Sequence, residues 1–461
     1  MMGSSSDIAE TQKLNKLLQF LEQSSRLFAD GQTKLPECKA PVATELFKKQ
    51  NTILNERWTQ NKNERGSASD GLLLNYQNGP TPRFRCFVGG KPITLQQAME
   101  LRKITYGSCQ HSFGTEWRKS SLSFQNLDGK FPYGILGHRC GSRGLALCVQ
   151  AFLLKHLIFD REYKSSLFAL NALQPNSYER RRAFVSAVSE MLWQAGDRQR
   201  CSVCLMQEES CFGPDYRYRA DRITEKLYIF DFSNLEDLQT FIRRNLDSFQ
   251  AESGCGCILF LYSIVLSRTI PKLYVDMDTR DGGSSKLLTD MDECSPELIN
   301  LLLTGQAIQH LHNGDLVYDN DGNLLSKPIK GIANRSSIGY LFWDRSETED
   351  KRTEIGSMLK TPKYPIWLIK VNNQFGLLFS NNLDLVSDWR VEHRFLLHYY
   401  TGLPSTTKPT QLTVDTRYPR SRPKTSLLHR RESDKIPPLE HCIMTKWYDA
   451  TVDWNGTVPY V

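Results

Sequence analysis

The chain has 461 residues, of which 58 are Lys or Arg and 51 are Asp or Glu, giving a formal net charge of +7. Hydrophobic residues make up 40%, and there are 29 glycines and 20 prolines. These proportions describe an ordinary soluble globular protein and exclude collagen-like, fibrous and wholly disordered chains. The length allows a sizeable core, either in about three domains or in one large enzyme-type domain with an N-terminal extension.

Much of the positive charge lies in one stretch near the C-terminus. Residues Arg417 to Lys435 hold seven cations and two acids, so they carry +5 and the remainder of the chain +2. Two prolines and the lack of an apolar period predict a solvated flexible loop, and a nucleic-acid or acidic-partner patch is the alternative. No basic stripe interleaved with aromatic residues occurs elsewhere, so we expect no nucleic-acid partner.

Neither a membrane span nor a secretory signal is evident. The longest apolar run, Cys257 to Leu266, is broken by Ser263 and has about half of the roughly 18 to 20 residues that a span needs. The first residues lack the charged and apolar regions of a signal peptide. We therefore expect no membrane partner and a cytoplasmic or nuclear location, where the 12 cysteines would be free thiols.

Residues 1–70 are predicted to form a mostly helical extension followed by a linker. Asp7 and Glu10 make a capping box before an amphipathic helix that runs to about Ala29. The polar, small-residue stretch from Asn61 to Gly71 is typical of a linker. We therefore place the main boundary after residue 70 and a single domain at 71–461.

From about residue 72 onward, helical and strand patterns are mixed and show no repeat, which predicts an α+β fold. One helix, from Gly144 to Phe159, is apolar on nearly every face except at Gln150, Lys155 and His156, so it should be buried. Four more helices are predicted: one from Thr94 to a stop at Gly107, an amphipathic one from Ser177 to Ala195, one capped by Ser233 and Glu236 whose apolar stripe reaches Phe249, and one between Ser295 and Gly305. Cys257 to Leu266 is predicted to be a further buried element. The other predicted features are a strand from Leu227 to Phe232, a hairpin of Pro365 to Val371 and Phe375 to Phe379 joined through Gln374, and a turn at Asn455-Gly456.

The segment from Tyr133 to Gly144 is the most informative place for chemistry, because a glycine-rich turn there leads into the buried helix. Cysteine hydrolases hold their nucleophile at such a helix start. The free N–H groups and partial positive charge of a helix N-terminus stabilise a thiolate and an oxyanion. Glycine-rich helix starts are common, so this feature alone is weak.

Three separated blocks together resemble one family. The first block is Gly134 to Gln150. The second consists of Leu359 to Pro362, Pro365 to Trp367 and Gln374 to Phe379. The third consists of Pro437 to Glu440, Thr445 to Trp447 and Trp454 to Gly456. From about Gly71 to its end, the chain resembles the MINDY family of deubiquitinases, in its three-type and four-type subgroup. The resemblance implies a papain-like fold, ubiquitin as a possible partner, and active relatives that cleave lysine-48-linked polyubiquitin.

The resemblance places three residues at functional positions. Arg143 stands at the position of the nucleophilic cysteine, Gln374 at that of the general-base histidine, and Gly137 at that of the oxyanion-stabilising glutamine. A guanidinium is always protonated, a glutamine amide accepts no proton near pH 7, and glycine offers no side-chain donor. We therefore predict that the chain is not an enzyme but an inactive ubiquitin carboxyl-terminal hydrolase that retains at most ubiquitin or partner binding.

The cation at position 143 opposes the dipole of the helix that it opens, so we expect Arg143 to point into solvent or to pair with a carboxylate. Its charge would also repel the arginines of a ubiquitin tail.

Two other functions stay open. In the first, the chain is an active deubiquitinase that uses Cys140, near His138, as its nucleophile in place of a cysteine at position 143. Alternatively, the cleft is vestigial and the chain is an interaction scaffold that uses the basic stretch or the N-terminal helix.

Five cysteines are candidate metal ligands. Cys201 and Cys204 form a C-x-x-C pair, but Cys255 and Cys257 follow about 50 residues later and Cys211 stands alone, which is not the spacing of a zinc site. We expect neither a metal nor a cofactor.

Overall fold

The computed structural model describes residues 89–137, 141–160, 173–278, 285–318, 322–348, 352–406, 408–417 and 436–459, which belong to a compact unit of residues 84–461. The predicted helix from Asp7 to Ala29, the linker and the boundary after residue 70 lie outside the described residues. So do Cys140, with His138, and all of the basic stretch beyond Arg417.

The described residues contain both helices and mostly antiparallel sheet, which confirms the predicted α+β class. The helices are α1 Leu95–Tyr106, α2 Thr115–Arg118, α3 Arg143–Phe159, α4 Ser177–Ala195, α5 Leu235–Arg244, α6 Leu246–Gln250, α7 Gly256–Arg268, α8 Ile270–Asp276, α9 Pro296–Thr304, α10 Ser357–Lys360 and α11 Pro438–Met444. The strands are β1 Lys91–Pro92, β2 Cys201–Met206, β3 Leu227–Phe232, β4 Leu316–Tyr318, β5 Leu324–Ile329, β6 Gly339–Trp343, β7 Ile366–Val371, β8 Gln374–Phe379, β9 Arg394–Tyr400, β10 Thr410–Asp415 and β11 Thr451–Asp453.

The largest sheet that the structure describes has six strands in the order β11-β10-β9-β8-β7-β6. Only β6 and β7 pair in parallel within it, and the other neighbours are antiparallel. A three-stranded sheet has the order β1-β3-β2, and β4 and β5 form a separate hairpin. The six-stranded sheet is the one that carries residues of the candidate site.

Strand β7 reads as a continuous apolar run because both faces of the sheet are covered. Ile366 and Leu368 belong to the core that contains α3, whereas Trp367 and Ile369 belong to a second core on the opposite face. The second core is completed by residues of α11, such as Leu439. A strand buried on both faces loses the usual apolar and polar alternation.

The predicted buried helix is α3, and it begins one residue earlier than expected, at Arg143. It packs against α4, α7 and α9 and against strands β7 and β8. Its three polar exceptions all make polar contacts. Lys155 and His156 both contact Glu190 of α4, while Gln150 is fully buried. This helix is therefore the central element of the domain, and its first residue, Arg143, contacts the first residue of β8.

Several predicted helix ends are confirmed. Thr94 and Gln97 form the capping box of α1, and Gly107 ends that helix with a φ of 80°. Ser295 caps α9 by accepting from Leu298 N, and Gly305 ends it with a φ of 82°. In each case the capping residue satisfies backbone groups that have no partner inside the helix.

The predicted cap of α5 is wrong by one residue. Asn234, not Ser233, accepts a hydrogen bond from Glu236 N, since an asparagine side chain reaches the second N–H of the helix that follows it. The apolar stripe also ends early. The helix stops at Arg244, and Phe249 belongs to the separate helix α6.

The predicted hairpin and the predicted turn are both present. β7 and β8 pair antiparallel, but Gln374 is the first residue of β8, opposite Val371, and not part of the turn. Asn455 and Gly456 adopt φ values of 50° and 80°, and Thr457 N donates to Trp454 O across them. The left-handed backbone at both positions favours Asn-Gly there.

No single helix within the described ranges has the length and apolar character needed to cross a membrane. Only α7 and α8 taken together pass such a test, and they are bent by 81°.

Candidate functional site

The segment that leads into α3 is held by the one buried glutamine of that helix. Gln150 is fully buried, and its Oε1 accepts a hydrogen bond from Ile135 N at 2.5 Å while its Nε2 donates to Tyr133 O at 3.1 Å. These bonds satisfy backbone groups that would otherwise be buried without partners. Gln150 thus fixes the approach to the helix N-terminus from within the core.

A tyrosine of β9 holds the same segment from the sheet side. The Tyr400 hydroxyl donates to Ile135 O at 2.7 Å and accepts from Gln125 Nε2 at 3.0 Å. Burial raises the pKa of Tyr400, so the phenol stays a donor. Gly134 allows this approach, because a Cβ there would lie 2.2 Å from the hydroxyl oxygen.

Glycines 141 and 144 let other segments approach the helix start closely. A Cβ at Gly141 would lie 1.7 Å from Asp292 O, an oxygen that also accepts from Trp117 Nε1 at 2.8 Å. A Cβ at Gly144 would lie 3.1 Å from Cys294 Sγ and 3.2 Å from the ring of Phe375. The glycine-rich turn is therefore needed for close packing of the segment around Asp292 and of β8.

A cavity of about 460 Å³ opens where α3 begins. Four of its lining residues belong to the predicted segments: Gly141, Arg143, Gln374 and Phe375. Four more come from elsewhere in the chain: Glu116 of α2, Met291 and Glu293 from the segment before α9, and Leu403 from the loop after β9. Its volume falls within the range of about 300 to 1,000 Å³ typical of ligand pockets. We refer to this cavity and its lining residues as the cleft.

Arg143 is only 7% exposed, and its Nη1 donates to Gln374 Oε1 at 2.9 Å. The expectation that this side chain points into solvent is therefore wrong. The segment around Asp292 and the first residue of β8 lie against the start of α3, and the guanidinium hydrogen-bonds inside the cleft. Two of the three predicted site residues, 231 positions apart in sequence, are thus brought into contact.

Gly137, the third predicted site residue, does not line the cleft. Its backbone N–H donates to Gly402 O at 2.8 Å, and a Cβ at Gly137 would lie 3.0 Å from the backbone of Gly402. The residue is therefore packed backbone to backbone against the loop after β9.

The sequence predictions missed Glu116, Met291 and Glu293. Met291 is 82% exposed and stands between Asp290 and Asp292. A large apolar side chain among acidic neighbours in a loop is a signal that could have drawn attention to this segment. Glu116 offers no comparable signal.

None of the five candidate zinc ligands forms a disulfide, and only Cys201, Cys204 and Cys257 lie in a strand or helix. Cys201 and Cys204 lie on β2, and burial raises the pKa of each to about 12. Within the part of the chain that the structure describes, no group of three or more His, Cys, Asp or Glu side chains could hold a metal ion. Cys148 of α3 is fully buried.

Comparison with known proteins identifies related chains. A family model described as "Deubiquitinating enzyme MINDY-3/4, conserved domain" matches residues 102–456. "Probable ubiquitin carboxyl-terminal hydrolase MINDY-4" of Xenopus tropicalis is 36% identical over 373 residues, 81% of this chain and 47% of that protein. The protein of the same name from Homo sapiens is 36% identical over 370 residues, which are 80% of this chain and 46% of that protein. No solved structure matches.

A more distant relative is the "Ubiquitin carboxyl-terminal hydrolase MINDY-3 homolog" of Drosophila melanogaster, 29% identical over 167 residues, 36% of this chain and 28% of that protein. The chain spans about half the length of the MINDY-4 relatives that it matches.

These comparisons confirm the predicted resemblance and correct the prediction that the chain is not an enzyme. The matching model describes a deubiquitinating enzyme, and the relatives are named hydrolases, so the comparisons point to an enzyme. The prediction was drawn from Gly137, Arg143 and Gln374 alone. Side chains at three aligned positions do not fix the class of a protein, because a catalytic group can come from another position in the same cleft.

Proposed function

Because the chain belongs to the MINDY-3/4 family of deubiquitinating enzymes, we propose that its cleft receives the C-terminal tail of ubiquitin. The observation that carries this proposal is the contact between Arg143, at the first position of α3, and Gln374, at the first position of β8, in a cavity of about 460 Å³. A helix start that faces a sheet strand is also the arrangement of a papain-like site, which we propose for this domain.

The lining of the cleft suits a tail that carries arginines. Glu116 and Glu293 contribute carboxylates to the same cavity as Arg143, so the cationic guanidinium is not its only charge. Met291 and Leu403 add apolar surface. Opposite charges across an interface favour the correct partner and speed its association. We propose lysine-48-linked polyubiquitin as the form that is bound.

Titration calorimetry of the full chain with lysine-48-linked di- and tetra-ubiquitin tests this proposal, with dimers of another linkage for comparison. We expect saturable binding and tighter binding of the lysine-48-linked chains. Filling the cleft with Leu403→Trp should weaken binding at least tenfold, since a lost anchoring contact of about 1.4 kcal/mol has that effect. Leu383→Trp, at a residue that is 45% exposed and outside the cleft lining, is the matched control. Absence of binding, or equal affinity of both variants, would reject the proposal.

A second candidate, hydrolysis by a displaced thiol, is favoured by the family match. Neither a guanidinium nor a glutamine amide acts as a nucleophile or a base, so the thiol must come from elsewhere. Cys140 directly precedes Gly141, which lines the cleft. Cys294 also lies against the cleft, but it is only 2% exposed and its thiol donates to Gly141 O at 3.3 Å. Cys140 is therefore the preferred nucleophile.

A ubiquitin probe with a C-terminal electrophile separates these two thiols by intact-mass measurement. Covalent attack by Cys140 predicts a one-to-one adduct that Cys140→Ser abolishes and Cys294→Ser retains. An unmodified wild-type chain would exclude this second candidate while leaving the binding proposal intact.

A further inference from the structure

A tight turn carries two of the side chains that line the cleft. In residues 289–293, which we call the cleft turn, Asp292 N donates to Thr289 O at 3.0 Å and Thr289 N donates to Glu293 O at 2.9 Å. Met291 and Glu293 line the cavity, and Met291 is 82% exposed. The conformation of this turn therefore determines where an apolar group and a carboxylate stand at the opening of the cleft.

The backbone of the cleft turn is strained at Asp292. Its φ of 57° lies in the left-handed region, which residues other than glycine adopt at a cost. Strain of this kind persists only where the surroundings hold it, and it is concentrated at functional sites. One support acts on the backbone, because Trp117 Nε1 donates to Asp292 O at 2.8 Å. A second support acts on the side chain of Asp292.

This second support is His111, in the segment between α1 and α2. Its Nε2 lies 3.4 Å from Oδ1 of Asp292, and this Oδ1 is buried without a hydrogen bond from any described residue. A buried acceptor without a hydrogen bond is costly. Because the contact lacks hydrogen-bond geometry, the attraction that offsets this cost depends mainly on the charge of the imidazole. A protonated His111 thus holds the cleft turn more firmly than a neutral one.

His111 is itself fixed to the core of the domain. Nη1 of the buried Arg102 donates to His111 O, and the centroid of the imidazole lies 4.4 Å from that of the Tyr106 ring. Burial raises the pKa of Tyr106, so this neighbour stays uncharged. The imidazole side chain is 48% exposed, so it exchanges protons with solvent. It therefore joins a rigid base to the cleft turn and responds to pH.

Charges of both signs face the imidazole among the described residues. Asp292 is the nearest carboxylate, and Asp290 of the same turn also interacts with the imidazole electrostatically. The cations nearby, Lys286 and Arg102, are paired with Asp290 and with Asp221. Since each of these cations has its own counter-ion, the attraction that changes most when the imidazole gains a proton is the one to Asp292.

We infer that His111 is a positioning residue for the cleft: its protonated imidazole holds Asp292 and so keeps the cleft turn in the arrangement that receives the ubiquitin tail. This inference rests on the proposed function, because it takes the tail as the ligand of the cleft. A turn that is held before binding loses less conformational entropy when the ligand arrives. Binding therefore strengthens as the pH falls through the range in which histidines gain a proton, about pH 8 to pH 6. By linkage, binding also takes up protons.

Calorimetric titrations of the full chain with lysine-48-linked di-ubiquitin at about pH 8 and about pH 6 test this inference. We expect binding to be about threefold to fivefold tighter at the lower pH, the size of effect of a partly exposed charge pair. His111→Phe keeps a ring against Tyr106 but carries no charge, so it should lose this dependence. His393→Phe, at an exposed histidine that does not line the cleft, is the matched control and should retain it. The ligand is the same throughout, so differences between variants report on this chain alone.

The outcomes separate this inference from the proposed function. Equal affinity of the unaltered chain at both pH values, or the same pH dependence in folded His111→Phe, would overturn the inference and leave the proposed function standing. A purely structural role of His111 predicts a loss of affinity by the same factor at each pH, and that result would also overturn it. Absence of binding at both pH values would overturn both proposals.

A variant on the other side of the pair covers the case in which His111→Phe does not fold. Asp292→Asn keeps the shape of the side chain, and asparagine tolerates the left-handed backbone. Without the carboxylate, protonation of His111 no longer holds the turn, so the pH dependence should again be lost. A dependence as large as that of the unaltered chain would overturn the inference.

Discussion

Two buried arginines in this domain have opposite surroundings. Arg102 of α1 is fully buried, and its Nη2 lies 2.6 Å from Oδ2 of Asp221, whose side chain is also fully buried. Its Nε donates to Thr224 Oγ1 at 3.2 Å. Arg143 lines a cavity and donates to a neutral amide. The first guanidinium is enclosed with its counter-ion inside the core, whereas the second is at the floor of an opening.

The contrast separates a charge enclosed in the core from one that lines a cavity. Burial alone would lower the pKa of Arg102, but nearby groups, including Asp221, raise it above its ordinary value. A buried pair of this kind is strongly destabilised when one partner is lost, because the other charge remains in the core. The hydrogen bond from Arg143 to Gln374 instead joins the first residue of α3 to the first residue of β8 at the lining of a cavity.

The largest expected effect comes from breaking the enclosed pair. Asp221→Asn leaves the Arg102 guanidinium without its charged partner, and we expect the free energy of unfolding to fall by about 3 to 5 kcal/mol. Urea denaturation followed by circular dichroism measures the change. Asp231→Asn, at a carboxylate that is 55% exposed and pairs with Lys91, is the control and should change the stability by less than about 1 kcal/mol. Similar losses in both variants would contradict the structural role of the Arg102–Asp221 pair.

The next effect tests how the cleft is built. Gly141→Ala places a Cβ within 1.7 Å of Asp292 O, so the segment around Asp292 must move. We expect a loss of about 2 to 3 kcal/mol in the free energy of unfolding, typical of overpacking against backbone. Gly213→Ala is the control, because nothing lies within 4 Å of a Cβ there. Unchanged stability in Gly141→Ala would show that this segment does not close on the helix start.

Glu190 of α4 is a charged group that is buried less completely than Arg102. Its carboxylate contacts Lys155 and His156 of α3. Burial alone would raise its pKa, but the hydrogen bond and charge of His156 and the charge of Lys155 lower it to about 2 from an ordinary value of 4.5. A carboxylate with a depressed pKa in the folded state stabilises the fold above its unfolded-state pKa and loses that contribution as the pH falls through the folded-state value.

Glu190→Gln should therefore reduce the free energy of unfolding by about 1 to 2 kcal/mol at neutral pH. The difference from the wild type should shrink as the pH is lowered from about 4.5 towards 2. Denaturant titrations at several pH values measure it, with Glu208→Gln at an exposed position as the control. A difference that stays constant across this range would contradict the depressed pKa.

The smallest effect on stability is expected at the cleft itself. Arg143→Gln removes a cation that opposes the dipole of α3 and whose described hydrogen bond is to a neutral amide. We expect the free energy of unfolding to change by less than about 1 kcal/mol in either direction. Thermal and urea denaturation check this. A loss as large as that of Asp221→Asn would place Arg143 with the structural charges and would remove the contrast between the two arginines.

Local sequence patterns predicted much of the fold because they report local physics. The capping box of Thr94 and Gln97, the stop at Gly305 and the apolar character of α3 each depend on residues within a few positions of one another. The two-residue turn at Asn455-Gly456 is equally local. The cap of α5 failed because Ser233 and Asn234 are both good caps, and the pattern does not choose between neighbours.

The cleft depends on contacts between distant parts of the chain, and these were only partly accessible from sequence. The pairing of Arg143 with Gln374 came from the family resemblance, since no periodicity links residues so far apart. Glu116 and Glu293 reach the cavity because α2 and the segment before α9 pack against the helix start, and nothing in their local sequence signals this. The class of protein was predicted wrongly because it was inferred from three positions instead of from the whole domain.

The most direct test of the central claim is an NMR titration of isotope-labelled ubiquitin with the full chain and with its Leu403→Trp variant. If the cleft receives the tail, the amide signals of the last residues of ubiquitin should shift or broaden first and most strongly, and the variant should suppress this change. Perturbation confined to other surfaces of ubiquitin, or an identical response to both proteins, would contradict the account.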